Sequence, residues 1–599
     1  MLRVGSKITQ VFLIGVKETR CCGILSAKCP AFMGLLRTDY AKLFLYDPYA
    51  GPRATWQCSH DDRVGDNFPQ NENCACNYNR TGNELMGIRD DIEELQRRKE
   101  KTLKMGGEQK IELQHSRGQL TARERIDQLL DPDSFFEVGA LAHSDVPGME
   151  ERTPADGKID GYGTIDNRPV AVCANDVTVL AGAGGRVGHK KAAEILAKAM
   201  EKGFPYINLG EAGGARIPDI QGSDGMSSMT IGIKSGRRFR KIPMVATLAG
   251  DCFGDPSWMA ALADFVVQIK GSCFAVSGPR VLEIATNEKV SNEELGGWKL
   301  HANVTGQIDQ AAEDEADCFR IVKEFLSYMP SNANELPPVI EGDPGAASRQ
   351  ERLLDLIPER SNQSYDMTLV LKTLVDNETI FQLKPDYDPS VITCLARIDG
   401  QTVGIIANQP SRFAGAMGPD GCDKCTSFIC LCDSFNIPLL FLHDIPGFFV
   451  GKEAERKKMP GKIINFIQAL SSVTVPKVSI VIRKSYGMAN CNMCGANMGA
   501  DFLYAWPGAD ISFMGPEVAT NVVFGAKIMA AENPEEMRAK AIEELKLGSA
   551  PWRAVGLGLI DDVINPLATR DIIIKSLVVA RGRNSGMSER LLASWPTTF

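Results

Sequence analysis

The 599-residue sequence is poor in histidine. It has six, and neither His189 nor His443 stands in a Ser/His/Asp or metal-ligand spacing. It holds no Gly-x-Ser-x-Gly elbow, no P-loop and no Walker lysine, so the common serine-nucleophile and nucleotide-hydrolysis routes have no carrier here. No apolar run approaches the ~18–20 residues that cross a bilayer, and a membrane role would have to come through a partner. Positive charge is also in deficit: the formal net charge is −9 and no basic stripe compensates it. That balance argues against a nucleic-acid surface. Cysteine, by contrast, is plentiful. The 17 cysteines are odd in number and lie in segments patterned like buried strands and helices, which suits reduced thiols of an intracellular chain better than a disulfide framework.

At this length the chain is too long for one core, and two to four domains are expected. The first 85 residues differ in texture. Six cysteines (Cys21, Cys22, Cys29, Cys58, Cys74, Cys76) fall there, and residues 1–37 carry six basic side chains against the single acid Glu18. This is the pattern either of an organelle targeting segment or of an unstructured extension. Regular sequence opens at Met86. Residues 89–130, from "RDDIEELQRRKEKTL" to "TARERIDQLLD", read as charged helices. After them β-rich runs alternate with amphipathic stretches, the mark of an α/β architecture. The stretch "SNANELPPVIEGDPGAAS" at 331–348 is the linker candidate.

The segments on either side of that linker repeat each other. "ANDVTVLAGAGG" from Ala174 matches "ANQPSRFAGAMG" from Ala407, "GFPYINLGEAGG" from Gly203 matches "NIPLLFLHDIPG" from Asn436, and "IPMVATL" at 242 matches "VPKVSIV" at 475, all at an offset of 233. Ala263–Asp264 then matches Ala500–Asp501, and "SGPRV" at 277 matches "MGPEV" at 514, at an offset of 237. Several ordered matches with one small insertion indicate a duplicated domain. Each copy runs strand, Gly-rich loop, helix, Pro-initiated strand ending in Gly, helix, Pro-initiated strand, an order suited to a parallel sheet with crossover helices. Ligands of such sheets meet the loops at the strands' C-terminal ends. The chemistry is therefore expected at Gly213–Ala215 and Gly250–Asp255 in copy one, and near Pro446–Gly447 and Gly487–Cys494 in copy two.

The same offset bears on the Cys-x-x-Cys pairs. Cys425 and Cys432 fall on Ala192 and Ala199 of the first copy, so the Cys422/Cys425 helix is expected to use cysteine as a small core residue. A structural zinc would need four ligands, and no well-spaced partners accompany this pair. In "RKSYGMANCNMCG" (483–495) the backbone carries more promise than the thiols. Adjacent amides at a glycine turn beyond a strand can converge on one oxygen and stabilise developing negative charge. "GEAGGAR" (210–216) and "SYGMAN" (485–490) are both of this kind, and two such turns suit a reaction with two oxyanions. With no protein base in the repeated segments beyond His189 and His443, a base carried by a cofactor fits.

These residues resemble the carboxyltransferase (β) subunits of biotin-dependent acyl-CoA carboxylases, of the propionyl-CoA and methylcrotonyl-CoA types, over about residues 86–590. "EAGGARIPD", "GDCFGDPSWMAALADF" and "SGPRVLEIATNEKVSNEELGG" look like the family's N-terminal transferase domain. "CLCDSFNIPLLFLHDIPGFFVGKEAE", "VPKVSIVIRKSYG", "YAWPGADISFMGPE" and "GLGLIDDVINPLATR" look like its C-terminal domain. The resemblance implies two crotonase-like α/β domains of the ClpP/crotonase superfamily, at 86–340 and 346–590. It implies a site shared between subunits of a homodimer or hexamer, with acyl-CoA on the N-terminal side and carboxybiotin on the C-terminal side. Carried over by position, the amides of Gly213 and Gly214 would hold the thioester oxygen and those of Met488 and Ala489 the biotin ureido oxygen. Gly487, Asn490 and Cys491 would complete the biotin loop. Arg186, Lys190 and Lys191 would be candidates for the CoA phosphates, with a solvated helix face as the alternative. No metal is implied.

The sequence departs from the family in three places. Gly487-Met488-Ala489 stands where the propionyl type has Gly-Gly-Ala, Asp255 replaces a usual Gly, and "AERKKMPGK" (454–462) replaces a Glu-x-x-Gly-Ile-Ile stretch. No Met-Lys-Met biotinylation site appears, so a biotin carboxylase and a biotin carboxyl carrier are expected as partners. The cytoplasm is the expected location, or the mitochondrial matrix if the extension is a transit peptide. Two rivals stand beside this reading: a biotin-dependent acyl-CoA decarboxylase α subunit of the glutaconyl- or methylmalonyl-CoA type, and a Cys-rich metal-binding protein on an inactive scaffold.

Overall fold

The computed structural model describes residues 87–227, 239–360, 362–582 and 591–596; the expected N-terminal extension lies outside the described residues. The charged opening forms three helices, α1 (Ile88–Leu103), α2 (Glu108–Ser116) and α3 (Ala122–Leu129). The Thr121 side chain accepts from the Glu124 N–H, and the Glu124 carboxylate accepts from the Thr121 N–H at 2.7 Å. This reciprocal cap sets the start of α3 and aims Arg125, Ile126 and Leu129 inward.

Two eight-stranded sheets follow. The first contains β1 (Phe136–Val138), β2 (Lys158–Ile165), β3 (Arg168–Asn175), β4 (Tyr206–Ala212), β5 (Met244–Phe253), β6 (Phe265–Ile269), β7 (Cys273–Ala275) and β8 (Gln310–Ala312). The second contains β9 (Ile380–Gln382), β10 (Val391–Ile398), β11 (Gln401–Asn408), β12 (Leu439–Ile445), β13 (Lys477–Tyr486), β14 (Phe502–Ala505), β15 (Asp510–Ser512) and β16 (Asp562–Val563). Both have the same order, β1-β2-β3-β4-β5-β6-β8 and β9-β10-β11-β12-β13-β14-β16, with β7 and β15 joining β5 and β13. The first three strands of each are antiparallel and the rest parallel. Every residue of β4 and β12 is buried, as strands covered on both faces require.

The repeat offsets hold for the central strands. β3, β4 and β5 map onto β11, β12 and β13 at 233, and β6 and β7 begin 237 residues before β14 and β15. Helix α4 (Arg186–Lys202) maps onto a helix at Pro419–Ser434. The short helix opening at Asp255 (Asp255–Leu262) maps onto one opening at Met488 (Met488–Asn492). In chain order these are α4, α5 (Asp255–Leu262), α6 (Glu315–Tyr328), α7 (Pro419–Ser434) and α8 (Met488–Asn492). Helix α7 is buried nearly all round. Cys422, Cys425, Cys430 and Cys432 are fully inside one core cluster, which spans both halves of the repeat. Phe265 and Phe325 of the first half stack at 4.2 Å, and Phe325 lies 6.3 Å from Phe381 of the second. Cysteine in α7 therefore acts as a close-packing small residue.

Candidate active site

In copy one, β4 ends at Ala212 and the chain turns through Gly213–Ala215. The turn is bound to the segment before α4: the Gly213 N–H donates to the Ala181 carbonyl at 2.9 Å, the Gly184 N–H to the Gly214 carbonyl at 3.1 Å, and the Arg216 N–H to the Gly184 carbonyl at 2.8 Å. Gly214 has φ +119°, and a Cβ there would meet nothing within 4 Å. Beside it stands Gly254, φ +70°, whose notional Cβ would lie 3.8 Å from the Gly214 Cα. Helix α5 opens directly after Gly254, and the Asp255 amide, at its first position, has no intrahelical acceptor.

Copy two repeats the arrangement. The Met417 N–H donates to the Gly447 carbonyl at 3.3 Å and the Phe449 N–H to the Met417 carbonyl at 2.9 Å. Gly447 has φ +136° and open space at its Cα. Gly487, φ +60°, is held by its N–H bond to the Ser512 carbonyl at 2.9 Å. Next come Met488, half exposed, and Ala489, fully buried, whose amides begin α8.

This geometry corrects two expectations. The Gly213 amide is spent on Ala181, and its counterpart in copy two is Pro446, which has no N–H. Position 213 thus has no free N–H; the open amides of copy one are at Gly214 and Asp255. The offset of 233 carries Met488 onto Asp255, and that signal was available in the sequence. Lys191 is also withdrawn from the CoA phosphates. It is buried, and its ammonium donates to the carbonyls of Ala155 at 3.0 Å, Gly139 at 3.4 Å and Lys158. Its repeat mate Lys424 does the same to Tyr387 at 2.9 Å and Val391 at 2.8 Å, and burial draws Lys424 down to about 8. Both lysines fasten a helix to the start of a sheet. Arg186 lies on the surface against Asp145 and Asp224, and Lys190 is exposed one turn further along α4.

The Cys491/Cys494 loop is organised by polar side chains. The Asn490 amide donates to the Ser485 hydroxyl at 2.8 Å, which lies 2.9 Å from His443 Nδ1, while His443 Nε2 is 2.6 Å from the Ser479 hydroxyl. Asn490 therefore holds the turn. Cys494 is buried in the core and Cys491 half-buried. No three His, Cys, Asp or Glu side chains cluster as metal ligands among the described residues. The 454–462 stretch is tied to α7 by Lys457–Asp420 and Lys462–Asp423 ion pairs, each at 2.5 Å.

His443 gives the loop a pH signature. Burial holds its pKa down at about 3, whereas the unfolded chain protonates this ring near 6.5. Its contribution is therefore fully present above pH 6.5 and drains away as the pH falls toward 3. We predict a loss of about 2 kcal/mol from this residue between pH 7.5 and pH 5. Urea unfolding of wild type and His443→Gln at both values measures it; equal losses in the two proteins would refute it.

Two crotonase-like α/β domains, each with a glycine turn facing a helix start, define the fold class. A carboxyl transferase domain model matches residues 113–590, and the chain belongs to that family. It is 38% identical over 491 residues to the methylmalonyl-CoA carboxyltransferase 12S subunit of Propionibacterium freudenreichii subsp. shermanii, covering 81% of this chain and 93% of that protein. It is 35% identical over 508 residues to the methylmalonyl-CoA decarboxylase subunit alpha of Veillonella parvula, covering 84% and 98%. Among solved structures, the transcarboxylase 12S hexamer with methylmalonyl-coenzyme A and methylmalonic acid bound superposes with a TM-score of 0.79 at 35% identity, over 85% of this chain and 99% of that one.

Proposed function

We propose that this chain moves a carboxyl group between carboxybiotin, presented by a partner, and the α or vinylogous carbon of a small or medium acyl-CoA by way of an enolate. The observation that carries the reading is the pair of equivalent turns, at Gly214/Asp255 and at Gly447/Met488–Ala489, each presenting open backbone amides in a fold of this family. The copy-one amides bind the thioester oxygen and stabilise it as charge develops on enolisation; fixed backbone donors do this with no reorganisation. Arg186 and Lys190, on the first two turns of α4, would meet the CoA phosphates. The copy-two amides fit a neutral ureido oxygen, because the loop around them carries no charged side chain between Tyr486 and Gly495. Carboxybiotin bound there would supply the carboxyl group and then a base for the α-proton.

The two sites are proposed to meet across subunits. The helices after β7 and β15 expose Val281 and Ile284 in copy one and Val518, Val522 and Val523 in copy two, apolar surface that a second copy of the chain would cover. A biotin carboxylase and a biotin carrier complete the assembly.

The test is transfer of labelled carboxyl from malonyl-, methylmalonyl-, glutaconyl- and methylglutaconyl-CoA to free biotin by the full chain. Transfer from one of them is expected; tight thioester binding with no transfer from any would sink the reading. The similarity to a decarboxylase alpha subunit keeps a second direction in view. Sodium-stimulated release of CO2 with membrane partners present would select it.

A further inference from the structure

Between α4, α5 and strands β2 to β5 of the first sheet lies a cavity of about 60 Å3. Leu196, Met244, Trp258 and Leu262 give it apolar walls, and Lys158, His189, Asn208 and Asp255 bring polar groups to it. Two of its lining residues, His189 and Asp255, lead toward the Gly213–Ala215 turn. A Cβ on Gly184, whose N–H bonds Gly214, would come within 2.5 Å of His189 Nε2, and Asp255 follows the glycine that packs on Gly214.

The polar groups are unevenly satisfied. Lys158 Nζ lies 3.0 Å from the Asp255 carboxylate, so the two charges offset each other. His189 Nε2 is 3.6 Å from the same carboxylate, too far for a hydrogen bond. His189 Nε2 and Asn208 Nδ2 are both buried without a hydrogen-bond partner, and Asn208 is only 3% exposed.

The duplicated half serves as an internal control. At an offset of 233, Lys158, His189, Asn208 and Asp255 become Val391, Cys422, Phe441 and Met488. Val391, Cys422 and Phe441 join the packed core. The fold therefore closes at this place without polar groups. Copy one keeps them although each unsatisfied buried polar atom costs about 1–3 kcal/mol.

We propose that this cavity receives the acyl chain of the thioester, and that the chain carries a hydroxyl group. The inference rests on the acyl-CoA reading above. A hydroxyl both accepts and donates, so it can accept from Asn208 Nδ2 and hydrogen-bond to His189 Nε2 at the same time. A carboxylate would gain little from a lysine already paired and would face Asp255. At roughly 15 Å3 for each water-sized group, the free volume suits a chain of roughly four heavy atoms.

Calorimetric titration of the full chain with butyryl-CoA, 3-hydroxybutyryl-CoA and 4-hydroxybutyryl-CoA tests this. One hydroxylated thioester is expected to bind about tenfold more tightly than butyryl-CoA, the worth of one well-made buried hydrogen bond. The ratio should collapse toward one in Asn208→Leu and in His189→Leu. Because it compares ligands on the same protein, a general loss of affinity in a variant does not disturb it. Equal affinities in the wild type, or a ratio that survives both substitutions, would overturn the assignment. The transfer assay above reports separately on the activity itself: absence of transfer with the hydroxyl preference intact would sink that reading and keep the cavity assignment.

Discussion

Gly214→Val is expected to lower carboxyl transfer by about 10²–10³-fold, the cost of losing one preorganised oxyanion donor, while the protein still folds. The backbone at Gly214, φ +119°, is one that side-chain-bearing residues rarely adopt. A β-branched side chain drives φ back toward negative values and swings the amide away from its target. Its Cβ would nevertheless enter open space, so no packed neighbour has to move, and the strain cost is about 1–3 kcal/mol. The expected signature is a fall in kcat larger than any rise in KM, with a modest shift in the unfolding midpoint. Gly213→Ala is the contrasting variant. Its Cβ would touch only Ala181 at 3.5 Å or more, and its amide is committed to the Ala181 carbonyl, so transfer should stay within a few-fold of wild type. A collapse of activity in Gly213→Ala and a mild effect in Gly214→Val would reverse the assignment of donors.

The largest stability effect is expected at Arg125. Its side chain is 2% exposed and lies between two carboxylates. Nε and Nη2 donate to Glu315 at 2.8 and 3.0 Å, and Nη1 donates to Glu211. Gln114 donates to Glu211 as well, at 3.2 and 3.3 Å, and the Leu120 N–H donates to Glu315 at 3.0 Å. Arg125→Met would leave two buried carboxylates facing each other, a change that costs about 3–5 kcal/mol where one partner of a buried pair is removed. Glu211 is two residues before Gly213, so activity should fall with stability. The sign with pH follows from the chemistry. The stranded carboxyls would be easier to protonate than in the unfolded chain, so the deficit should be greatest at neutral pH and shrink toward pH 4. A urea midpoint shifted equally at pH 7.5 and pH 5, or Arg125→Met/Glu315→Gln no more stable than Arg125→Met, would contradict this account.

Much of the architecture was legible because a duplication is a one-dimensional signal. Offsets of 233 and 237 locate matching strands independently of any contact, and Pro-initiated apolar runs ending in glycine mark parallel strands without reference to partners. The same offset identified Cys425 and Cys432 as core residues of α7. Other features were not legible, because they depend on groups remote in the chain. The pairing of the Gly213 amide with Ala181 joins positions 32 residues apart. Whether Lys191 faces solvent or three carbonyls depends on how α4 lies against the start of β2. Asp255 registered as a departure, but Lys158 and His189, which neutralise and flank it, come from a strand and a helix with no sequence relation to it.

The sequence by itself determined the two-fold repeat, the order of strands and helices in each copy, the position of the glycine turns and the family, since each is written in local spacing and in ordered motifs. Only the tertiary structure decided which amides remain open, which lysines are buried, and that copy one holds a polar cavity where copy two places Val391, Cys422 and Phe441 in the core. Hydrogen-bond supply and free volume belong to the neighbourhood that distant segments make together, and no single segment carries them.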